Sequence, residues 1–247
     1  MNEEFKHKLK YLRLAGLLAN WNRFIEIVQK RNISPVKFLE MIVDEEYQMK
    51  KENSRKIRLV KAKIPEKLVI ETFPFDKQPK LNAKKILSIY DSFDYMTQHR
   101  NIVWIGPTGT GKSGLATAFL TQAVNRGHTG RFISFPDLVE LLFKAVADHS
   151  ESDVIKRFVK YDCLLIDEVG YVEVEPVQVG LFFTLMHKRH KKKTTLITSN
   201  IGFSQWGEFL KNEQLTAAFI DRLTENSHVI NMKGCVSLRS KIPPISS

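Results

Sequence analysis

One octapeptide, Gly106-Pro107-Thr108-Gly109-Thr110-Gly111-Lys112-Ser113, constrains this chain more than any other stretch. It reads G-x-x-x-x-G-K-S, the Walker A phosphate loop. The apolar run Asn101-Ile102-Val103-Trp104-Ile105 precedes it and predicts a buried strand. The stretch from Leu115 to Val124, rich in Ala, Leu and Thr, predicts a helix after it. A glycine-rich turn between a strand and a helix is the context the motif requires, and it argues against a chance glycine cluster. The glycines let the backbone turn tightly, so that N–H groups converge on phosphate oxygens. The helix start adds the positive end of its dipole. Lys112 is expected to reach the β- and γ-phosphates of ATP, and the Ser113 hydroxyl to bind Mg²⁺.

Such a loop needs a parallel sheet behind it, and the pattern downstream supplies one. Strand signals at 130–135, 161–166 and 194–198 alternate with helical signals at 136–147, 153–160 and 176–190. That alternation predicts an α/β core of parallel strands covered on both faces, with ligands at the strands' carboxyl ends. Cys163-Leu164-Leu165-Ile166-Asp167-Glu168 is an apolar strand ending in two acids, 54 residues beyond Ser113. This is a Walker B pattern. Asp167 is expected to hold the Mg²⁺ shell and Glu168 to polarise a water for attack on the γ-phosphate. A kinase would use its substrate's hydroxyl, so the second acid points to hydrolysis. Thr195-Leu196-Ile197-Thr198-Ser199-Asn200 is a further strand, expected beside the Walker B strand. Asn200 then either touches the γ-phosphate or attacking water, or is an ordinary strand-end turn residue. Arg222, in the helical stretch Ala217 to Leu223, is either a structural ion pair with Asp221 or Glu225 or an arginine finger given to a neighbouring subunit.

The first quarter of the chain differs. Of the net charge of +11, residues 1–67 carry +7, from 16 Lys and Arg against 9 Asp and Glu. Residues 5–30 have helical periodicity through Leu9, Leu12, Leu17, Trp21, Phe24, Ile25 and Val28. Asn32-Ile33-Ser34-Pro35 ends that segment, with Ser34 as N-cap and Pro35 at the first position of the next helix. Val36, Leu39, Met41, Ile42 and Val43 give this helix an apolar side. Beyond it Lys50, Lys51, Arg55, Lys56, Arg58, Lys61, Lys63 and Lys67 face only Glu52 and Glu66, up to a close at Ile64-Pro65. The basic run is either a solvated face or a salt-dependent contact with the phosphates of duplex DNA. Lys188 to Lys193 poses the same choice. The expected organisation is a small N-terminal helical domain at 1–66 for DNA or partner contact, a linker at 67–83 and an ATPase core at 84–247. In the linker, Phe73 and Phe75 either contact adenine or pack on the core.

Other signals narrow the class. No run of about 18 apolar residues suits a membrane helix. The start Met1-Asn2-Glu3-Glu4-Phe5 has no signal-peptide pattern, and two cysteines make neither a disulfide framework nor a zinc site. A cytoplasmic protein is expected, with Cys163 a core thiol. His187 and His190 lack ligand partners for a metal.

The ordered set GPTGTGKS, LLIDEVGY, LITSN, IDRL and KGCVSLR, with Leu12-Arg13-Leu14-Ala15-Gly16 near the start, resembles the IstB family. These are ATP-binding helper proteins of a class of bacterial insertion sequences. The family is similar to the DnaC helicase loaders, and both are AAA+ ATPases. The resemblance spans nearly the whole chain, including Phe73-Pro74-Phe75 and Trp206-Gly207. Its Walker motifs are generic to the superfamily, whereas LRLAG, DEVGY and FSQWGEF are more specific. It implies a P-loop AAA+ parallel-sheet core behind the N-terminal all-helical domain; as a departure, the sequence ends at Ser247, so no separate C-terminal lid domain is expected and nucleotide is expected to lean more on the neighbouring subunit. It implies sequence-nonspecific binding of duplex DNA, homo-oligomerisation with ATP and shared active sites, and stimulation of a partner transposase. Lys112, Ser113, Asp167, Glu168, Asn200 and Arg222 take the roles reasoned above. Residues 136–160 resemble the helical insertion of initiator-type AAA+ proteins, which makes Lys144, Lys156, Arg157 and Lys160 candidate DNA contacts. One departure concerns Gly234-Cys235-Val236-Ser237-Leu238-Arg239, where the family has Gly-x-Ser-Tyr-Arg. The added residue and the loss of Tyr remove the basis for carrying a nucleotide-sensing role to Arg239. The rival readings are a DnaC-like helicase loader, a small-molecule kinase and a non-catalytic DNA clamp.

Overall fold

The computed structural model describes residues 1–30, 33–65 and 68–239, so Asn32, Glu66 and Lys67 named above lie outside the described residues. The chain forms two compact units, Met1–Ile57 and the remainder from Arg58.

The first unit is helical. It contains α1 (Glu3–Tyr11), α2 (Ala15–Ala19), α3 (Trp21–Lys30) and most of α4 (Pro35–Ala62). The periodic stretch at 5–30 is therefore three helices instead of one. It breaks at Arg13, which has a left-handed φ of +57°, and again at Asn20. Leu9, Leu17 and Phe24 form the core of this unit, with Trp21, Met41 and Ile42 packed against them. Leu12, Ile25 and Val28 are exposed, as are Val36, Leu39 and Val43, so the expected apolar side of α4 is buried only through Met41 and Ile42. The Ser34 cap is present, its hydroxyl accepting from the Lys37 N–H at 3.3 Å. Short α2 has no side-chain cap of its own; the buried Glu46 carboxylate of α4 accepts the Leu17 N–H at 2.7 Å. An anion at the helix's first turn satisfies an orphan donor and the dipole together. Gly16 permits that approach, since a Cβ there would lie 3.1 Å from the Met49 sulfur and 3.3 Å from Glu46 Oε1.

In the second unit, α5 (Ala83–Ser92) and α6 (Asp94–Thr97) lead into β1 (Asn101–Ile105). Phe93, at φ +58°, separates α5 from α6. Then come α7 (Lys112–Asn125), β2 (Gly130–Ser134), α8 (Phe135–Ala147), α9 (Glu151–Val159) and β3 (Cys163–Val169). They are followed by α10 (Pro176–Arg189), β4 (Thr194–Ser199), α11 (Phe203–Phe209), α12 (Glu213–Glu225) and β5 (Ser227–Asn231). The five strands form one parallel sheet in the order β2-β3-β4-β1-β5. β1 and β4 are buried throughout, as central strands covered on both faces are, and in β4 this includes Thr194, Thr195, Thr198 and Ser199. One core layer, around Trp104, Leu115 and Phe119, includes Ile70, Phe73 and Leu81 of the segment ahead of α5. The other, around Phe135, Phe158, Phe182 and Trp206, joins α8, α9, α10 and α11 to the opposite face. Cys163 is a core thiol, and burial pushes its pKa up to about 12.

At the end of the sheet where β3 and β4 begin, Arg189 is 1% exposed. Its guanidinium donates to the carbonyls of Phe158 and Tyr161 at 2.8 Å and Thr194 at 2.6 Å, and to the Thr195 hydroxyl at 3.0 Å. The adjacent basic loop is largely neutralised: Lys191 pairs with Glu225 and Lys193 with Asp162, each at 2.5 Å. That pairing removes most of the charge a second nucleic-acid contact at 188–193 would need. Among the described residues no helix is long and apolar enough to cross a membrane, and no cluster of His, Cys, Asp and Glu is arranged to hold a metal ion.

Candidate active site

The phosphate loop leaves β1 at Gly106, whose N–H donates to the Ser199 carbonyl at the end of β4. Gly111 caps α7 with φ +95°, and a Cβ there would lie 2.5 Å from the Phe73 ring, so no other residue fits without displacing that ring. Thr110 closes the turn by donating its hydroxyl to the Pro107 carbonyl at 2.9 Å. Lys112, 8% exposed, folds back to the same carbonyl at 2.8 Å. Burial pulls its ammonium below the usual range, Asp167 opposes this and Arg239 adds to it.

Across the loop stand the ends of β3 and β4. Ser113 donates to Asp167 Oδ1 at 2.9 Å. Two oxygen ligands thus converge at one point, the donor set that suits a hard divalent cation. The β3–β4 register shifts between Ile166 and Val169, so Glu168 sits in a bulge with a left-handed φ of +64° and an exposed side chain. Bulges beside active sites re-aim a side chain in this way. The Glu168 N–H donates to the Thr198 hydroxyl at 3.0 Å, and that hydroxyl donates to Asp167 Oδ1. Among the described residues Asn200 Oδ1 is buried without a hydrogen-bond partner. It lies against Gly170, where φ is +108° and a Cβ would come within 2.6 Å of it. Thr108 and Tyr171 share a hydrogen bond of 2.7 Å between their hydroxyls, linking the loop to the turn after β3.

These groups line one cleft of about 250 Å³, with Thr108, Gly109, Gly111, Lys112, Ser113, Glu168, Thr198 and Asn200 on its walls. Two segments distant in sequence complete it. Leu238 and Arg239 line it from the carboxyl-terminal side, and the Leu238 N–H donates to the Gly109 carbonyl at 2.8 Å. Fully buried Gln78 fastens that segment to the loop: its amide nitrogen donates to Thr110 O at 3.2 Å and Val236 O at 2.7 Å, and its oxygen accepts from the Val236 N–H at 2.9 Å. Arg239, which the altered motif had set aside, is therefore beside the phosphate loop. Phe73 is 5% exposed and packs into the core with Phe75 against it, so packing wins over an open aromatic platform. Nothing in the local sequence around Gln78, Thr198 or Tyr171 marked them; only the shared polar character of TSN and DEVGY hinted at the last two.

Arg222 is exposed and lies outside this cleft. It borders a separate apolar recess of about 60 Å³ between α10 and α12, with Phe183, Met186, Leu215 and Phe219. Among the described residues it has no ion pair, and Glu225, one expected partner, is taken by Lys191 at 2.5 Å and His190 at 3.3 Å. The candidate DNA contacts fall into two groups. Arg55 pairs with Glu52 at 2.6 Å, Lys144 with Glu140 at 2.5 Å and Lys156 with Asp153 at 3.2 Å, while Arg58 donates to the Val124 carbonyl at 3.3 Å. Lys50, Lys51, Lys56, Arg157 and Lys160 are exposed; Lys51 lies over the Tyr47 ring and Arg157 over that of Phe158.

Comparisons with known proteins identify relatives of this chain. An insertion-sequence ATP-binding protein of Geobacillus stearothermophilus is 30% identical over 234 residues, 95% of this chain and 93% of the relative. One from Bacillus thuringiensis subsp. berliner is 28% identical over 94% of this chain and 92% of its own length. Among solved structures the chain is similar to the DnaC helicase loader, with a TM-score of 0.52 and 20% identity over 61% of this chain and 87% of that one. At that identity the likeness is one of fold, the P-loop AAA+ fold. The sequence profile described as IstB-like ATP binding protein matches residues 7–242, and the chain belongs to that family of ATPases.

Proposed function

We propose that this ATPase assembles on duplex DNA in an ATP-dependent way and acts on a partner transposase of its insertion sequence. The observation that carries the reading is the meeting of Lys112, Ser113, Asp167, Glu168 and Asn200 in one cleft at the carboxyl ends of three parallel strands. The loop's N–H groups and Lys112 cradle the phosphates of ATP, where a partly desolvated ammonium acts more strongly than in water. Ser113 and Asp167 would hold Mg²⁺, which neutralises phosphate charge when bound. Asn200 orients a water through its unpartnered Oδ1, and Glu168 takes that water's proton as its oxygen attacks the γ-phosphorus. The bond from the γ-phosphorus to the bridging oxygen breaks, and ADP leaves with phosphate. The DNA is chemically unchanged, and the energy goes into closing and opening contacts between copies.

Arg222 would supply positive charge to the γ-phosphate of the neighbouring copy. Its exposure and the lack of an ion pair among the described residues support that role over a structural one. Lys50, Lys51, Lys56, Arg157 and Lys160 would meet DNA phosphates, with Arg55, Arg58, Lys144 and Lys156 reached only if they exchange their present partners. The insertion-sequence relatives support a transposase partner over a replicative helicase, because the likeness to the helicase loader is of fold alone.

The test is ATP turnover with and without duplex DNA, alongside particle mass in solution. The wild type should hydrolyse ATP faster with DNA and grow in mass with Mg·ATP. Glu168→Gln should bind ATP and assemble yet lose about a hundredfold or more in turnover, and Lys112→Ala should lose assembly. A protein whose mass ignores both nucleotide and DNA would refute the reading.

A further inference from the structure

We propose that Thr198 is a positioning residue for hydrolysis, holding both members of the acidic pair through its single hydroxyl. This inference rests on the ATPase reading of the cleft and deepens it. Thr198 lies on β4, 1% exposed, paired in register with Trp104 of β1. Its hydroxyl accepts the Glu168 N–H at 3.0 Å and donates its one proton to Asp167 Oδ1. A hydroxyl has one donor and two acceptor sites, so both bonds are made at once and each specifies the other.

What those bonds hold is unusual. Glu168 occupies the left-handed region, which strains a residue with a Cβ, and it sits where the β3–β4 ladder has slipped out of register. Ordinary strand pairing therefore does not fix its backbone. The Thr198 oxygen stands in for the missing ladder acceptor and keeps the residue turned so that its exposed side chain borders the cleft. The same hydroxyl, with Ser113, fixes the rotation of the Asp167 carboxylate. No second side chain of β4 reaches both acids among the described hydrogen bonds. Thr198 does not line up to take a proton itself, since its own proton is committed to Asp167. It acts through its neighbours.

The experiment compares the wild type with Thr198→Val, which keeps the shape and removes the hydroxyl, and Thr198→Ser, which keeps the hydroxyl and removes the methyl. Three quantities are read: kcat and KM for ATP, the affinity for a non-hydrolysable ATP analogue at rising Mg²⁺, and the thermal midpoint. Thr198→Val should lose about a hundredfold in kcat, as displacement of a reacting group by about 1 Å does, with KM and analogue affinity at saturating Mg²⁺ within about threefold. The Mg²⁺ concentration for half-maximal analogue binding should rise. Thr198→Ser should return both to within about threefold of wild type. Thr198→Ala carries the same comparison if the valine variant does not fold. Unchanged turnover in a folded Thr198→Val would overturn the proposal and leave the ATPase reading standing. Equal damage in the serine and valine variants would overturn it too, by making the methyl group's packing responsible. Loss of analogue binding in a folded variant would move Thr198 into nucleotide binding and likewise overturn it. A wild type without turnover would overturn both readings.

Discussion

Arg189 shows how a single side chain can carry the part of the sheet farthest from the chemistry. It is a buried cation with no carboxylate paired to it among the described residues, and burial pulls its pKa down to about 10, so it stays charged near neutrality. Its donors satisfy three carbonyls at the starts of β3 and β4 and the end of α9 that would otherwise be orphaned. Arg189→Ala should lower unfolding free energy by about 3 kcal/mol or more, read as a drop in urea midpoint with unchanged slope. A loss below about 0.5 kcal/mol would mean water replaces the guanidinium. In sequence Arg189 is one of a run of basic residues and looks solvated. Its burial depends on where α10 ends relative to two strands.

Among the elements, β3 is the most divided. Its start is held by Asp162, which accepts the Thr129 N–H at 2.9 Å and hydroxyl at 2.7 Å and pairs with Lys193 at 2.5 Å. Burial alone would raise the Asp162 pKa, but the bonds from Lys193 and Thr129 outweigh it and hold the carboxyl at about 2. A carboxylate depressed in the folded state contributes stability above its unfolded value, near 4, and loses it as pH falls through about 2. Asp162→Asn should therefore cost roughly 1–2 kcal/mol at pH 7, allowing for partial exposure. The difference from wild type should shrink toward zero near pH 2. Denaturant titrations at several pH values check this, and a gap that stays constant would assign the effect to lost shape instead of charge. The other end of β3 is the bulge at Glu168. The apolar run predicts the strand up to Ile166, whereas the strand continues through both acids to Val169. Hydrogen bonds to β2 on one side and β4 on the other, made after folding, extend it beyond its apolar residues.

At the scale of the whole molecule the nucleotide cleft and Arg222 lie apart, and only a second copy can unite them in the proposed mechanism. Arg222→Ala should bind ATP normally and lose about a hundredfold or more in turnover. Mixed with Glu168→Gln, it should regain part of that activity, because some interfaces then pair an intact cleft with an intact finger. Turnover measured across mixing ratios checks this; additive, unrecovered rates would return Arg222 to its own chain. Recovery needs no change in fold, so circular dichroism of each variant should match the wild type.

Sequence alone determined the parts whose physics is local. A tight turn needs its glycines within eight positions, and a short apolar stretch running into polar residues marks a buried strand that ends at a site, so the phosphate loop, the Asp167–Glu168 pair and the Thr195–Asn200 strand were all legible. Placing β4 beside β3 also followed from reading their polar ends together. β5 was not legible: it is an edge strand with one buried residue among five, and an edge strand needs no continuous apolar run. Tertiary structure alone decided that Gln78, Thr198, Tyr171 and Arg239 meet at the cleft. Those contacts join residues 30 to 158 positions apart. No periodicity records such a contact, because it exists only once the sheet order has brought the segments together.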